Sequence, residues 1–248
     1  MDFFYIPWIS SPKSEDDFSD KSEIALCPVP SPQGIKPKYK LTFFNSKGLA
    51  EISRLIFVFV GEPFIDDRIS YEYWKTRSHE FAFQQLPILQ FDGHVICHAV
   101  AIARFIGRQY GLAGKNPVEE AEVDGIMDVL MTLINAFRPF VLEYVKKNHP
   151  TVDISKFSDG STTKSPSMVI NHYFPILENA ASKFTLHGFL FPGGLTFADF
   201  GVAVCFEIIE NLYPEIVAPY QRLKALTQRI HSLPQLQSYL RMRPISEF

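Results

Sequence analysis

The sequence predicts a small α/β domain followed by an all-helical one. Three observations predict it. Two short strand-like runs, "YKLTFF" and "FIDDRIS", flank an apolar segment with helical spacing. The dipeptide Asp92-Gly93 joins two further apolar runs. Everything after Asn116 carries apolar residues at helical rather than strand spacing. With 248 residues and 46% hydrophobic content, the chain is long enough for one or two compact cores.

Taken in order, residues 1–36 are rich in Ser, Pro, Asp and Lys and end in "CPVPSPQGIKP". Closely spaced prolines remove backbone donors and favour extended conformers, so this stretch is expected to be a disordered arm. Its aromatic opening, "MDFFYIPWI", lacks a basic start and is broken by Pro7, unlike a signal peptide. A strand over "YKLTFF" follows. From Gly48, the residues Ile52, Leu55, Ile56 and Phe59 mark one face of a helix, which Gly61-Glu62-Pro63 stops. "FIDDRIS" reads as a second strand and the polar, aromatic stretch after it as a loop. "LPILQFDGHVICH" reads as a hairpin, because Asp-Gly supplies the positive-φ positions of a tight turn. "AVAIARFIGRQYGLAG" closes a β-α-β-loop-β-β-α unit over 37–114.

The helical domain is placed at 115–248. Pro117, Glu119 and Glu120 suit a helix N-terminus, and the helix runs on through "VDGIMDVLMTLINAFRPFVLEYVKK", where Pro139 can kink it. The polar loop "NHPTVDISKFSDGSTTKSPS" separates it from four helical segments: "MVINHYFPILENAASKF", "TFADFGVAVCFEIIENL", "YQRLKALTQRIHSL" and "PQLQSYLRMRP". The net charge is only −3 and Lys and Arg are scattered. That argues against nucleic acid or an anionic membrane as the main partner. No apolar run is read as reaching the ~20 residues of a membrane span. Cys27, Cys97 and Cys205 have no paired spacing and fit a reducing, cytoplasmic setting, with Cys205 an ordinary buried thiol.

Several local features carry chemistry. Leu86-Pro87-Ile88 sits where a strand should begin. Proline has no N–H, so a cis bond there would turn neighbouring backbone groups toward a peptide-like ligand, while a trans bond would make it a plain edge-strand proline. Thr196 and Asp199 are spaced as a capping box, with Leu195 and Phe200 as its hydrophobic staple. His98 precedes a helix whose N-terminus attracts carboxylates. No second His or Cys stands at ligand spacing, so no metal is expected. Asp124 and Asp128, at i and i+4, suit either a cation or a solvated or interfacial face.

"KYKLTFFNSKGLAE", Trp74, "QQLPIL", "FDG", "AIARF", "GLAGKNPVEEAEVD" and "LTFADF" occur in order and at matching spacings. Together they resemble the soluble glutathione transferase family, most closely its sigma class, which includes haematopoietic-type prostaglandin D synthases and lens S-crystallins. The resemblance runs from Lys38 to the terminal "RMRPISEF". It implies a thioredoxin-like domain at 37–114, an all-helical domain after it, and a homodimer. It implies glutathione as co-substrate, held by Trp74, Gln85, Leu86, Pro87, His98 and Ala99.

The resemblance also exposes departures. The class has a tyrosine at the position of Phe43, whose hydroxyl stabilises the glutathione thiolate. A hydrogen bond to a charged group is worth roughly 1.5–3 kcal/mol, about one to two pKa units. Without it the thiolate fraction is expected to fall about ten- to a hundredfold. The family's Gln-Ser pair is His98-Ala99, its second loop arginine is Leu49, its lysine after the tryptophan is Ser78, and its cross-dimer aspartate is Thr132. Two substitutes are open. Ser46 is either a replacement thiolate donor or an exposed turn serine. His98 either recognises a carboxylate or does not. The expected function is weak conjugation of glutathione to small hydrophobic electrophiles, or isomerisation of a lipid peroxide. The alternative is a non-catalytic homodimer that binds ligands or serves structurally.

Overall fold

In the computed structural model the described residues are 37–148, 165–182 and 188–246, with the backbone of 25–26. Five strands form one mixed sheet in the order β1-β3-β2-β4-β5: β1 (Ala25–Leu26), β2 (Tyr39–Phe44), β3 (Phe64–Ile69), β4 (Ile88–Phe91) and β5 (His94–Cys97). β2 and β3 are parallel, joined by α1 (Ala50–Val60), and the other pairings are antiparallel. Within the stretch expected to be disordered, Ala25–Leu26 therefore pair with the free edge of β3, which presents unpaired backbone groups for such an addition. The rest of that arm lies outside the described residues.

Helix α1 is apolar on nearly every side and accordingly buried between the sheet, α3 (Ala99–Gln109) and α6 (Phe197–Leu212). Gly61 adopts the left-handed conformation that ends it, at φ 73°. The Asp92-Gly93 turn is as expected, with φ 44° and 75° at its two central residues. The loop expected after β3 instead contains α2 (Tyr71–Arg77), whose start is capped by Ser70 accepting the Tyr73 N–H at 3.1 Å. Trp74 is its one buried residue, so no apolar stripe announces it in the sequence.

The helical part consists of α4 (Pro117–Asn148), α5 (Pro166–Ser182), α6, α7 (Pro214–Val217), α8 (Gln221–His231) and α9 (Gln237–Met242). Val123, Met127, Leu130, Leu133, Phe137 and Phe140 form the buried stripe of α4, which packs on α5 and α6. Pro139 lies inside this helix without ending it. Against the sequence expectation, Pro117–Lys147 is long and apolar enough to cross a membrane by length and composition, with a mean hydropathy of 1.4 over its most apolar 18 residues. Its charges gather at its two ends, leaving a lightly charged middle, a property that core helices of globular proteins share. Thr196 and Asp199 close the reciprocal capping box of α6, and the Asp199 carboxylate also accepts the Leu190 N–H at 2.7 Å. A Cβ on Gly107 would lie 2.6 Å from the Phe197 ring, so α3 and α6 approach closely there. The polar loop at 149–164 lies outside the described residues.

Candidate functional site

Strand register brings the candidate residues to one end of the sheet. Thr42 pairs with Ile88, and Ile88 with Cys97, so the start of β4 and the end of β5 meet β2 on one rung. The residues just beyond that rung are Phe43 and Phe44, Leu86 and Pro87, and His98 and Ala99. The Leu86–Pro87 bond is cis. Leu86 lies outside both ladders, which begin at Ile88. Gln85 is exposed and extended beside it, at φ −141° and ψ 151°.

His98 sits at the N-terminus of α3 in an unusual conformation, φ 71° and ψ 129°, with no side-chain capping bond. Such backbone in a non-glycine residue is costly and concentrates at functional sites. Its ring is exposed and lies 5.9 Å from that of Phe83. Ala99 is buried and offers no side-chain donor, but the first-turn N–H groups of α3 have no partner within the helix. The chemistry available here is recognition of an anion by backbone donors.

Phe43 is 8% exposed. Its ring meets Phe44 edge-on at 5.4 Å, and the Arg54 guanidinium lies 6.0 Å from its centroid. Gly48 lies against the ring, where an added Cβ would stand 2.5 Å from Phe43 Cε1. Gly48 also has φ 45°, so no other residue suits this turn as well. Trp74 is buried against Phe44, edge-on at 6.2 Å, and against Phe81 at 5.4 Å. The wall is therefore aromatic and apolar, and no hydroxyl projects from the strand end.

Ser46 lies in the loop between β2 and α1, half-buried. Its N–H donates to the Phe44 carbonyl at 2.7 Å, and its Oγ is among the atoms nearest Gly48. Other positions flagged in the sequence are occupied elsewhere. The Thr132 hydroxyl donates to the Asp128 carbonyl of its own helix at 2.8 Å, and Asp124 accepts from Arg104 at 2.7 Å. Among the described residues, no three His, Cys, Asp or Glu side chains cluster as metal ligands would. A surface groove lined by Ala101, Arg104, Phe105, Arg108 and Gln109 belongs to the outer face of α3 and contains none of the candidate residues.

Sequence reasoning missed a charged cluster beneath the loop 45–49. Arg54 is fully buried and donates to Asp66 at 2.8 Å, to the Ser46 carbonyl at 2.8 Å and to the Lys47 carbonyl at 3.1 Å. Burial opposes its charge, but Asp66 and Glu51 outweigh that and raise its pKa above the ordinary arginine value. Glu51, 1% exposed, accepts from Tyr239 at 2.9 Å and Arg243 at 2.8 Å. Glu207 accepts from Arg243 at 2.6 Å and Lys47 at 3.0 Å. Burial pushes the Glu207 carboxyl up, yet the nearby His231 ring, 3.4 Å away, and the charges of Arg243 and Lys47 prevail and hold it at about 2. The signal was present in part: Glu51 and Arg54 interrupt an apolar helix at i and i+3.

The comparisons with known proteins agree with this fold. Residues 149–243 match the family model described as the glutathione S-transferase C-terminal domain. The chain is 32% identical to glutathione S-transferase 1 of Ascaris suum over 212 residues, covering 84% of this chain and 98% of that one. It is 31% identical to hematopoietic prostaglandin D synthase of Gallus gallus over 208 residues, covering 84% and 98% respectively. Its fold is similar to that of a glutathione S-transferase from the hookworm Necator americanus, described as monomeric. That likeness has a TM-score of 0.72 and 35% identity, and covers 85% of this chain and 99% of that one.

Proposed function

Because this chain belongs to the glutathione S-transferase family, we propose that it binds glutathione at the end of the sheet and activates the thiol only weakly. In this reading the backbone at Leu86 and the N-terminus of α3 at His98 and Ala99 hold the tripeptide, with Trp74, Gln85 and Pro87 around it. One observation carries it: Thr42, Ile88 and Cys97 share a rung, so these backbone groups gather beside Phe43. The reaction is sigma-like conjugation to small hydrophobic electrophiles. Likeness to a prostaglandin D synthase supports isomerisation of a lipid peroxide as the related activity. The protein is proposed to be cytoplasmic and to pair as a homodimer, although the hookworm relative is described as monomeric.

Phe43 limits the chemistry. A thiol of pKa near ~8.5 stays mostly protonated at neutral pH unless a donor or positive field favours its anion. Ser46 is the remaining hydroxyl in the loop and is proposed as a poor substitute. The burial of Phe43 against Gly48 favours a second reading, in which the family fold is kept for ligand binding or structure without turnover. Thiolate absorbance of bound glutathione near neutral pH separates the two. A thiolate signal that Ser46→Ala abolishes supports catalysis through Ser46. Binding with no ionised thiol supports the non-catalytic reading, and no binding overturns the enzyme reading.

A further inference from the structure

We propose that Arg243, in the C-terminal segment, is a positioning residue for the loop 45–49, and so sets glutathione affinity without touching glutathione. The inference rests on the glutathione reading above. It starts from how the loop is held. Its backbone is gripped from below: Arg54 Nη1 donates to the Ser46 and Lys47 carbonyls at 2.8 and 3.1 Å. Its side-chain anchor is Lys47, whose ammonium donates to Glu207 Oε1 at 3.0 Å. The Lys47 N–H also donates to Ser246 Oγ at 3.4 Å, so the C-terminal segment meets the loop at Ser246.

Arg243 joins the two grips. Its Nη2 donates at 2.6 Å to the same Glu207 oxygen that holds Lys47. Its Nη1 donates at 2.8 Å to Glu51 Oε1. The other Glu51 oxygen accepts from Arg54 at 3.3 Å and from the Tyr239 hydroxyl at 2.9 Å. One planar fork thus fixes both carboxylates that orient the loop's anchors, a task that a lysine cannot perform with a single ammonium. Arg54 and Glu51 are almost wholly out of solvent, while Arg243 and Glu207 stay partly exposed at the edge of the cluster. Around Arg54 and Glu51 water has little access to replace a lost partner, which makes their arrangement costly to break. On its other side the loop bears on the Phe43 ring through Gly48, so a loop that shifts moves the wall beside the strand end.

The test uses the full chain and three variants, Arg243→Met, Arg243→Lys and Lys47→Met, with two readouts. Amide hydrogen exchange of 44–50 reports the loop without reference to any ligand. Calorimetric titration with glutathione reports affinity. In Arg243→Met, exchange of 44–50 should accelerate while that of α3 and α5 stays unchanged. Glutathione affinity should fall about tenfold or more, the weight of one hydrogen bond to a charged group. Arg243→Lys should restore only part of both effects. Lys47→Met leaves the Arg243 fork intact and should loosen the loop if Arg243→Met cannot be folded. Wild-type binding with loop exchange and affinity unmoved in the variants overturns the role of Arg243 alone. Accelerated exchange everywhere, rather than in the loop, overturns it as well. Wild-type protein that binds no glutathione overturns the parent reading, and this role with it.

Discussion

At the residue scale, the proposed chemistry turns on Phe43. Its ring supplies surface and no proton, at the strand end where the family resemblance implies a hydroxyl. Phe43→Tyr is therefore expected to raise conjugation of a standard aryl electrophile by about ten- to a hundredfold, the value of one charged hydrogen bond. An unchanged rate in a steady-state assay would show that the surrounding pocket no longer holds the thiol. Gly48 is the second critical residue. Gly48→Ala places a Cβ 2.5 Å from Phe43 Cε1 in a backbone at φ 45°. It should lower stability by about 1–3 kcal/mol, through strain and overpacking together. Urea unfolding checks this, and an unmoved midpoint would contradict the close packing of loop on ring.

At the element scale, most of the architecture was legible because it rests on local rules. The hairpin follows from Asp92-Gly93, α1 from its apolar spacing and Gly61 stop, and α6 from its capping box. Asp199 accepts from Leu190, Thr196 N–H and the Thr196 hydroxyl. Asp199→Ala should leave buried donors unpaired and lower stability by about 2–4 kcal/mol. A loss below about 1 kcal/mol in chemical denaturation would show that other groups hold this helix start. Helix α2 escaped the sequence because its seven residues bury only Trp74. The charged cluster escaped for a different reason: Glu51 meets Tyr239 and Arg243 across 188 and 192 residues, and no local periodicity encodes such a pairing. Of the candidate site, the strand ends could be read in advance and the proline was left open between cis and trans, while the loop's support could not be read.

At the scale of the whole molecule, Glu207 ties α6 to the loop 45–49 and to the C-terminal segment. Its carboxyl is held at about 2, below the ordinary 4.5. A depressed carboxyl stabilises the fold above its unfolded pKa and loses that contribution as pH falls toward the folded value. Stability should therefore decline between about pH 4.5 and pH 2, by up to about 3 kcal/mol from this group. Urea midpoints across that range check it, and Glu207→Gln should flatten the decline; an equal slope in the variant would assign the acid sensitivity elsewhere. The proposed binding of glutathione draws on the other face of the same frame, where the family resemblance implies that backbone contacts persist and polar side chains are replaced. Calorimetric titration of the unmodified protein with glutathione near neutral pH tests this most directly. Saturable binding at or below about 1 mM is the expected result; no heat of binding well above that concentration would contradict it.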